Sequence, residues 1–203
     1  KILFKLPDGP LIETVLMRYE RRNSLCVSTQ VGCAMGCIFC ATGHMGFSRN
    51  LTAGEILAQV LHSMAELEKK GESLTHVVYM GMGEPFNNYE NTIKSLATLT
   101  DPDLVGFGAR RITISTVGIV LRIDQFAELN SQVNLAVSLH APNDALRTEL
   151  VPANRRFPIT ALLAACREYI AKTHRRVTFE YALINGKNDT PQLAKELATL
   201  LKG

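Results

Sequence analysis

Short apolar runs alternate with helical periodicities along most of this chain. Ile2-Leu3-Phe4 and the stretch from Leu11 to Met17 read as two strands, with Pro7-Asp8-Gly9-Pro10 as the turn between them. A short strand at Leu25–Ser28 comes next, and Thr52 is placed to cap a helix reaching about Lys70. His76-Val77-Val78-Tyr79-Met80 is a buried-strand pattern that stops at Gly81-Met82-Gly83, and a helix is expected from about Tyr89 to Leu99. Strands at Arg111–Ser115, Val133–Leu139 and Val177–Leu183 then alternate with helices at about Leu121–Asn130, Pro158–Lys172 and Pro191–Leu201. Near-continuous apolar strands taking turns with helices predict an α/β fold with a parallel sheet covered by helices. Five such strands after an N-terminal β-hairpin suit a partial barrel of (βα) units, with chemistry at the carboxyl ends of the strands. The expected division is a hairpin at residues 1–20 packing on a core at 21–203. No internal repeat or low-complexity stretch interrupts it.

Composition narrows the class without choosing a function. The chain has 203 residues, 46% hydrophobic and 20% charged, as expected of a soluble globular protein. No apolar run approaches the length of a membrane span, and the N-terminus lacks a signal-peptide pattern. Five cysteines, three of them bunched together, argue against a secreted disulfide framework and fit a reducing cytosol. A net charge of +3 is compatible with a nucleic-acid partner and does not require one. The chain begins at Lys1 and stops directly after a helical pattern, so it reads as a piece of a longer protein whose core is incomplete at the C-terminal end.

The bunched cysteines carry the chemistry. Cys33, Cys37 and Cys40 stand in Gly32-Cys33-Ala34-Met35-Gly36-Cys37-Ile38-Phe39-Cys40, spaced C-x3-C-x2-C. Iron–sulfur clusters normally take four thiolates, so three leave one iron of a four-iron cluster open to a ligand. Gly32 and Gly36 let the chain wrap tightly around a bulky inorganic group. The competing readings are a disulfide pair or a zinc site, for which His44 is the only nearby fourth ligand.

The other strand ends are unusual too. Gly81-Met82-Gly83-Glu84-Pro85 combines glycines, which allow close backbone approach to a ligand, with a carboxylate. Ser115-Thr116-Val117-Gly118 offers two hydroxyls, and Ser138-Leu139-His140-Ala141-Pro142 a hydroxyl and an imidazole. Any one of these could serve only to satisfy backbone groups. Facing one rim, they suit a ligand with an amine, a carboxylate and hydroxyls.

The cysteine spacing followed by a GxGEP strand end resembles the radical S-adenosylmethionine enzymes. More narrowly, the chain is similar to the RlmN and Cfr family of adenosine methyltransferases. The matching blocks are Leu25 to Cys33, Phe39-Cys40-Ala41-Thr42-Gly43, Gly46 to Thr52, Gly81 to Pro85, and Ser138 to Asp144. They occur in one order and span essentially the whole chain.

The resemblance implies that Cys33, Cys37 and Cys40 bind a [4Fe-4S] cluster whose open iron is chelated by S-adenosyl-L-methionine. Gly83, Glu84, Ser115, Ser138, Leu139 and His140 match that cofactor's contacts, with Phe39 near its adenine. It implies methylation of C2 of an adenosine in 23S rRNA and in tRNA, by a radical formed on a methylated cysteine of the enzyme. Cys26 matches the resolving thiol, which releases the product by forming a disulfide, and Glu13 matches the proton acceptor. The methyl-bearing cysteine and a further cofactor-binding Asn fall beyond Gly203. Cys166, in an apolar helical stretch, is no substitute and reads as core. The other activities considered are methylation of C8 of the same adenosine, a different radical reaction such as glycyl-radical activation, and a cluster or RNA-binding module without catalysis.

The expected protein is a cytoplasmic monomer reduced by an electron donor such as flavodoxin or ferredoxin. Arg18, Arg21, Arg22, Arg49, Arg110, Arg111, Arg155, Arg156, Arg175 and Arg176 are candidates for RNA contact, of which about half should be only solvated surface charge.

Overall fold

A computed structural model describes residues 1–202. In chain order the strands are β1 (Ile2–Lys5), β2 (Leu11–Tyr19), β3 (Arg22–Cys26), β4 (Gln30–Gly32), β5 (Phe47–Asn50), β6 (His76–Tyr79), β7 (Ile112–Thr116), β8 (Asn134–Ser138) and β9 (Val177–Glu180). The helices are α1 (Ala41–His44), α2 (Ala53–Glu68), α3 (Tyr89–Thr100), α4 (Val120–Glu128), α5 (Asp144–Leu150), α6 (Ile159–Thr173) and α7 (Pro191–Leu200). Seven strands form one sheet in the order β1-β2-β3-β6-β7-β8-β9, and β4 pairs with β5 in a separate ribbon. β2 runs antiparallel to both of its neighbours, β1 and β3, while β3, β6, β7, β8 and β9 run parallel. The expected hairpin therefore extends the edge of the same sheet. The sheet does not close on itself, as expected of a partial barrel.

Local sequence explains the main elements. Thr52 begins α2 with a capping box: its hydroxyl accepts the Glu55 N–H at 3.2 Å, and the Glu55 carboxylate accepts the Thr52 N–H at 2.8 Å. Thr190 caps α7, with Pro191 at its first position. The helix-facing side of the parallel strands is apolar throughout, with Leu25, Val77, Tyr79, Ile112, Ile114, Leu135 and Val137 fully buried. These pack on Ile56 and Val60 of α2, Leu99 of α3, Ile123 and Phe126 of α4, and Leu162 and Tyr169 of α6 in one continuous core. Cys166 lies in this core, 2% exposed, as expected.

Three expectations need correction. The last strand stops at Glu180 rather than Leu183, because Asn188 captures the next segment. Its carbonyl oxygen accepts the Ile184 N–H at 2.7 Å, and its amide donates to the Ala182 oxygen at 2.8 Å. Arg49 is not free for RNA: Asp8 and Glu55 hold its guanidinium at 2.6 and 2.8 Å. No disulfide forms among the described residues, because all five cysteines are free thiols. Among the described residues no helix is long and apolar enough to cross a membrane.

Candidate active site

The cysteine loop is tied at its base like a noose. β4 and β5 pair antiparallel on either side of it, and the Cys33 N–H donates to the Gly46 oxygen at 2.8 Å. This closure demands glycine at position 32, where φ is +75° and a Cβ would lie 1.9 Å from the Gly46 oxygen. Arg49, braced by Asp8 and Glu55, locks β5 to the start of α2 and to the β1–β2 turn. The guanidinium holds both carboxyls below their ordinary range. At the loop's far side the Ile38 N–H donates to the Leu150 oxygen at 3.1 Å.

Within this frame Cys33, Cys37 and Cys40 line one pocket of about 210 Å³, together with Gly83, Glu84, Ser115, Ser138 and His140. The strand ends singled out in the sequence thus converge on the cysteines. Burial pushes the Cys33 thiol up and the Cys37 thiol up to about 12, with the neighbouring cysteines adding to the effect at Cys37. Among the described residues no group of three or more His, Cys, Asp or Glu side chains is gathered to hold a single metal ion. His44, the candidate fourth zinc ligand, bonds the Ile38 oxygen through Nε2 at 3.0 Å and does not line the pocket. Three thiols spread around a cavity, with no fourth ligand beside them among the described residues, fit a polynuclear iron–sulfur group better than one zinc ion.

Glu84 is 2% exposed and fully engaged by backbone: Oε1 accepts the Phe86 N–H at 3.0 Å and Oε2 the Val117 N–H at 2.9 Å. Burial raises its carboxyl, and those hydrogen bonds oppose the rise. Each oxygen keeps a lone pair for a further donor, and an ammonium would restore the charge that burial disfavours. Gly83 permits the approach. Its φ is +98°, and a Cβ there would meet Gln30 at 2.5 Å. Gln30, unmarked in the sequence, accepts the Glu84 N–H through Oε1 at 2.8 Å and so couples the β4 ribbon to this strand end.

His140 sits at φ +59° with Nδ1 accepting the Ala182 N–H at 3.0 Å, which places the ring proton on Nε2. Burial and then the Arg147 charge push its pKa down to about 4, so the ring is neutral near pH 7. Phe39 packs edge-on to it at 4.7 Å and also lines the pocket. Leu139 differs from its neighbours: its side chain is fully buried in the core and only its backbone serves the site, with N–H donating to the Glu180 oxygen at 3.0 Å.

Glu180 is a pocket residue the sequence did not disclose. Ser115 Oγ donates to its carboxylate at 2.7 Å and Ser138 Oγ lies at 3.4 Å. Ser115 thereby aims its proton at Glu180 and keeps its lone pairs for ligand donors, while Ser138 Oγ stands 3.4 Å from both the carboxylate and Ser115 Oγ. The only sequence signal was alternation: Glu180 is in register with Ser138 on the same face.

Cys26 and Glu13 lie outside this pocket. Cys26 ends β3 opposite Val15 of β2 and Val78 of β6. Its thiol is pushed up to about 11, first by burial and further by the Glu13 and Glu180 charges. Glu13 is on the same face as Val15, with its half-exposed carboxylate paired to Lys1 at 3.1 Å. A second cavity of about 640 Å³ runs along the inner sheet face past Thr113, Asn134 and Thr178 to Arg175 and Arg176. It shares Met80 and Glu180 with the cysteine pocket.

The comparisons agree with this arrangement. Residues 27–197 match the family model described as the radical SAM superfamily. The chain is 54% identical over 207 residues to the probable dual-specificity RNA methyltransferase RlmN of Chloroflexus aurantiacus, covering all of this chain and 55% of that protein. It is 51% identical over 210 residues to the ribosomal RNA large subunit methyltransferase N of Nitrosopumilus maritimus, again over its whole length and 60% of the relative. A crystal structure of a radical SAM methyltransferase from Sphaerobacter thermophilus superposes with a TM-score of 0.97 at 58% identity, covering 99% of this chain and 59% of that one. The chain thus spans somewhat over half the length of the relatives it matches.

Proposed function

The chain belongs to the radical SAM superfamily, and from that premise we propose that it is the core of a methyltransferase acting on C2 of an adenosine in 23S rRNA and in tRNA. The observation that carries this reading is the single pocket in which three thiols, a buried carboxylate, two oriented serines and a neutral imidazole meet at the ends of parallel strands. In it Cys33, Cys37 and Cys40 would hold a [4Fe-4S] cluster. When bound, such a centre together with S-adenosylmethionine supplies a carbon radical by one-electron reduction, a route suited to an electron-poor ring carbon.

The chain's own residues then bind and orient. Glu84 accepts the ammonium of the cofactor's amino acid, its carboxylate already aimed by the Phe86 and Val117 amides. His140 donates Nε2–H to a cofactor oxygen and stays uncharged while doing so. Ser115 accepts from a cofactor hydroxyl, because its own proton is donated in a hydrogen bond to Glu180, and Ser138 offers a second hydroxyl beside it. On the inner face, Cys26 is the resolving thiol and Glu13 the proton acceptor. Cys26 on β3 and Glu13 on β2 share the sheet face that the large cavity borders farther along, at β7 to β9, where there is room for an unstacked base. Cys166, shut in the core, takes no part. Unpartnered arginines such as Arg176, exposed beside that cavity, supply phosphate contacts.

Anaerobic reconstitution followed by iron and sulfide analysis tests the cofactor site. Four irons, and an electron paramagnetic resonance signal that moves on adding S-adenosylmethionine, are expected. A zinc site, or a centre indifferent to the added sulfonium compound, would end this reading. Nucleoside mass spectrometry of RNA treated with the full-length parent tests the product: 2-methyladenosine is expected, and 8-methyladenosine would move the reaction to the other carbon.

A further inference from the structure

The cysteine loop has two sides. Met35, between Cys33 and Cys37, lines the cysteine pocket on one side and a separate surface groove of about 260 Å³ on the other. Met35 therefore stands between the proposed redox centre and this groove. The groove's floor is apolar, made by Met35, Ile119, Phe157 and Leu121, the last 62% exposed. Its only charged lining residues are Arg122 and Arg156. Each guanidinium lies over an aromatic ring, Arg122 4.7 Å from the Tyr89 centroid and Arg156 5.2 Å from that of Phe157. This stacking fixes both groups at the rim; Arg122 also pairs with Glu90 at 3.3 Å, so Arg156 carries the groove's uncompensated charge.

An apolar centre with arginines at its edge is the composition of a protein-binding patch. A small patch suits the brief encounters typical of electron-transfer partners. We propose that this groove is the docking site for an acidic one-electron carrier protein, seated on Leu121 and Phe157 between Arg122 and Arg156. Electrons would pass by way of Met35. The inference rests on the iron–sulfur reading of the cysteines. One electron moves from the carrier's reduced cofactor to the cluster, which is reduced as the carrier is oxidised, and no atoms are exchanged. RNA is the weaker candidate for this face. The groove holds a single aromatic ring, already approached by Arg156 at 5.2 Å, and so lacks the run of stacking platforms that successive bases use.

The test uses the cluster-loaded protein, a flavodoxin as probe, and the variants Leu121→Glu and Arg156→Glu, both at exposed positions. Flavodoxin affinity should fall about tenfold or more in each, and the salt dependence of binding should flatten for Arg156→Glu. Cluster reduction by flavodoxin should slow in parallel, while reduction by dithionite, which needs no docking surface, stays unchanged. Arg21→Glu, at the distant β2–β3 turn, should bind flavodoxin within about twofold of the parent, the range expected for a charge outside the interface. Unaltered flavodoxin affinity in both groove variants overturns the proposal, as does weakened RNA binding with flavodoxin binding intact. If no iron–sulfur centre loads at all, the functional reading fails first, an outcome distinct from a loaded, dithionite-reducible protein whose groove variants bind flavodoxin normally.

Discussion

The two faces of the parallel sheet are built from alternate residues of the same strands, yet they do different work. On the helix side Leu25, Val77, Ile114 and Leu135 are wholly buried among other apolar groups. On the inner side the neighbouring positions Cys26, Ser115 and Asn134 are small, polar or reactive, and Ser115 and Asn134 line open cavities. A closed (βα) barrel fills its interior with branched side chains. Here the described inner face borders open cavities, and the continuous apolar packing lies on the outer face. Function can therefore be concentrated on one face with little penalty, because the core does not depend on what replaces those residues.

Substitutions on each face should break or sharpen this contrast. The largest effect is expected from Cys37→Ser, which should abolish cluster assembly, read as iron and sulfide per chain, while far-ultraviolet circular dichroism stays that of the parent. Leu135→Ala should do the reverse. It should cost about 3 kcal/mol in urea unfolding, from lost burial plus the cavity left behind, while the folded fraction still loads iron normally. His140 joins the two faces and makes stability pH-dependent. Its folded pKa of about 4 lies below the ordinary 6.5, so as pH falls between those values the unfolded chain gains a proton that the folded one refuses. Its stabilisation is present above pH 6.5 and declines toward pH 4. Near pH 4.5, roughly 2 kcal/mol should be lost relative to His140→Asn, which keeps an acceptor for the Ala182 N–H but does not titrate. Parallel unfolding curves of parent and variant that shift alike with pH would rule this out. Thr113→Val, on the inner face, should change stability by less than about 0.5 kcal/mol, since no buried packing depends on the hydroxyl.

What could be read from sequence follows the same division. Outer-face periodicity located every strand of the parallel sheet and the helices that cover it, because burial imposes continuous apolar runs. The cysteines, Glu84, Ser115, Ser138 and His140 were legible because they follow those runs immediately. The β4–β5 ribbon was not, since three- and four-residue strands on either side of a loop carry no period. Glu180 was hidden inside an apparently uninterrupted strand, and only its register with Ser138 distinguishes it. Gln30 and Gln59 carry no signal of their own in the sequence. Their roles depend on long-range partners: Gln30 holds Glu84, and Gln59 bonds Thr14 and the backbone of Ser28. Arg49 misled for the opposite reason, because charge by itself does not reveal that two carboxylates have already claimed it.

Arg147 has a wider consequence. It is wholly buried, and its guanidinium donates to the Val117, Ser138 and Leu139 oxygens and to Asn154 at 2.7 to 3.1 Å. One side chain thus rivets the segments that follow β7 and β8 to the turn after α5. An engineer seeking to retarget this scaffold could not exchange those connections one at a time, since each replacement would strand a buried cation among unmatched carbonyls. They would have to be transplanted together, with the arginine as their common fastening.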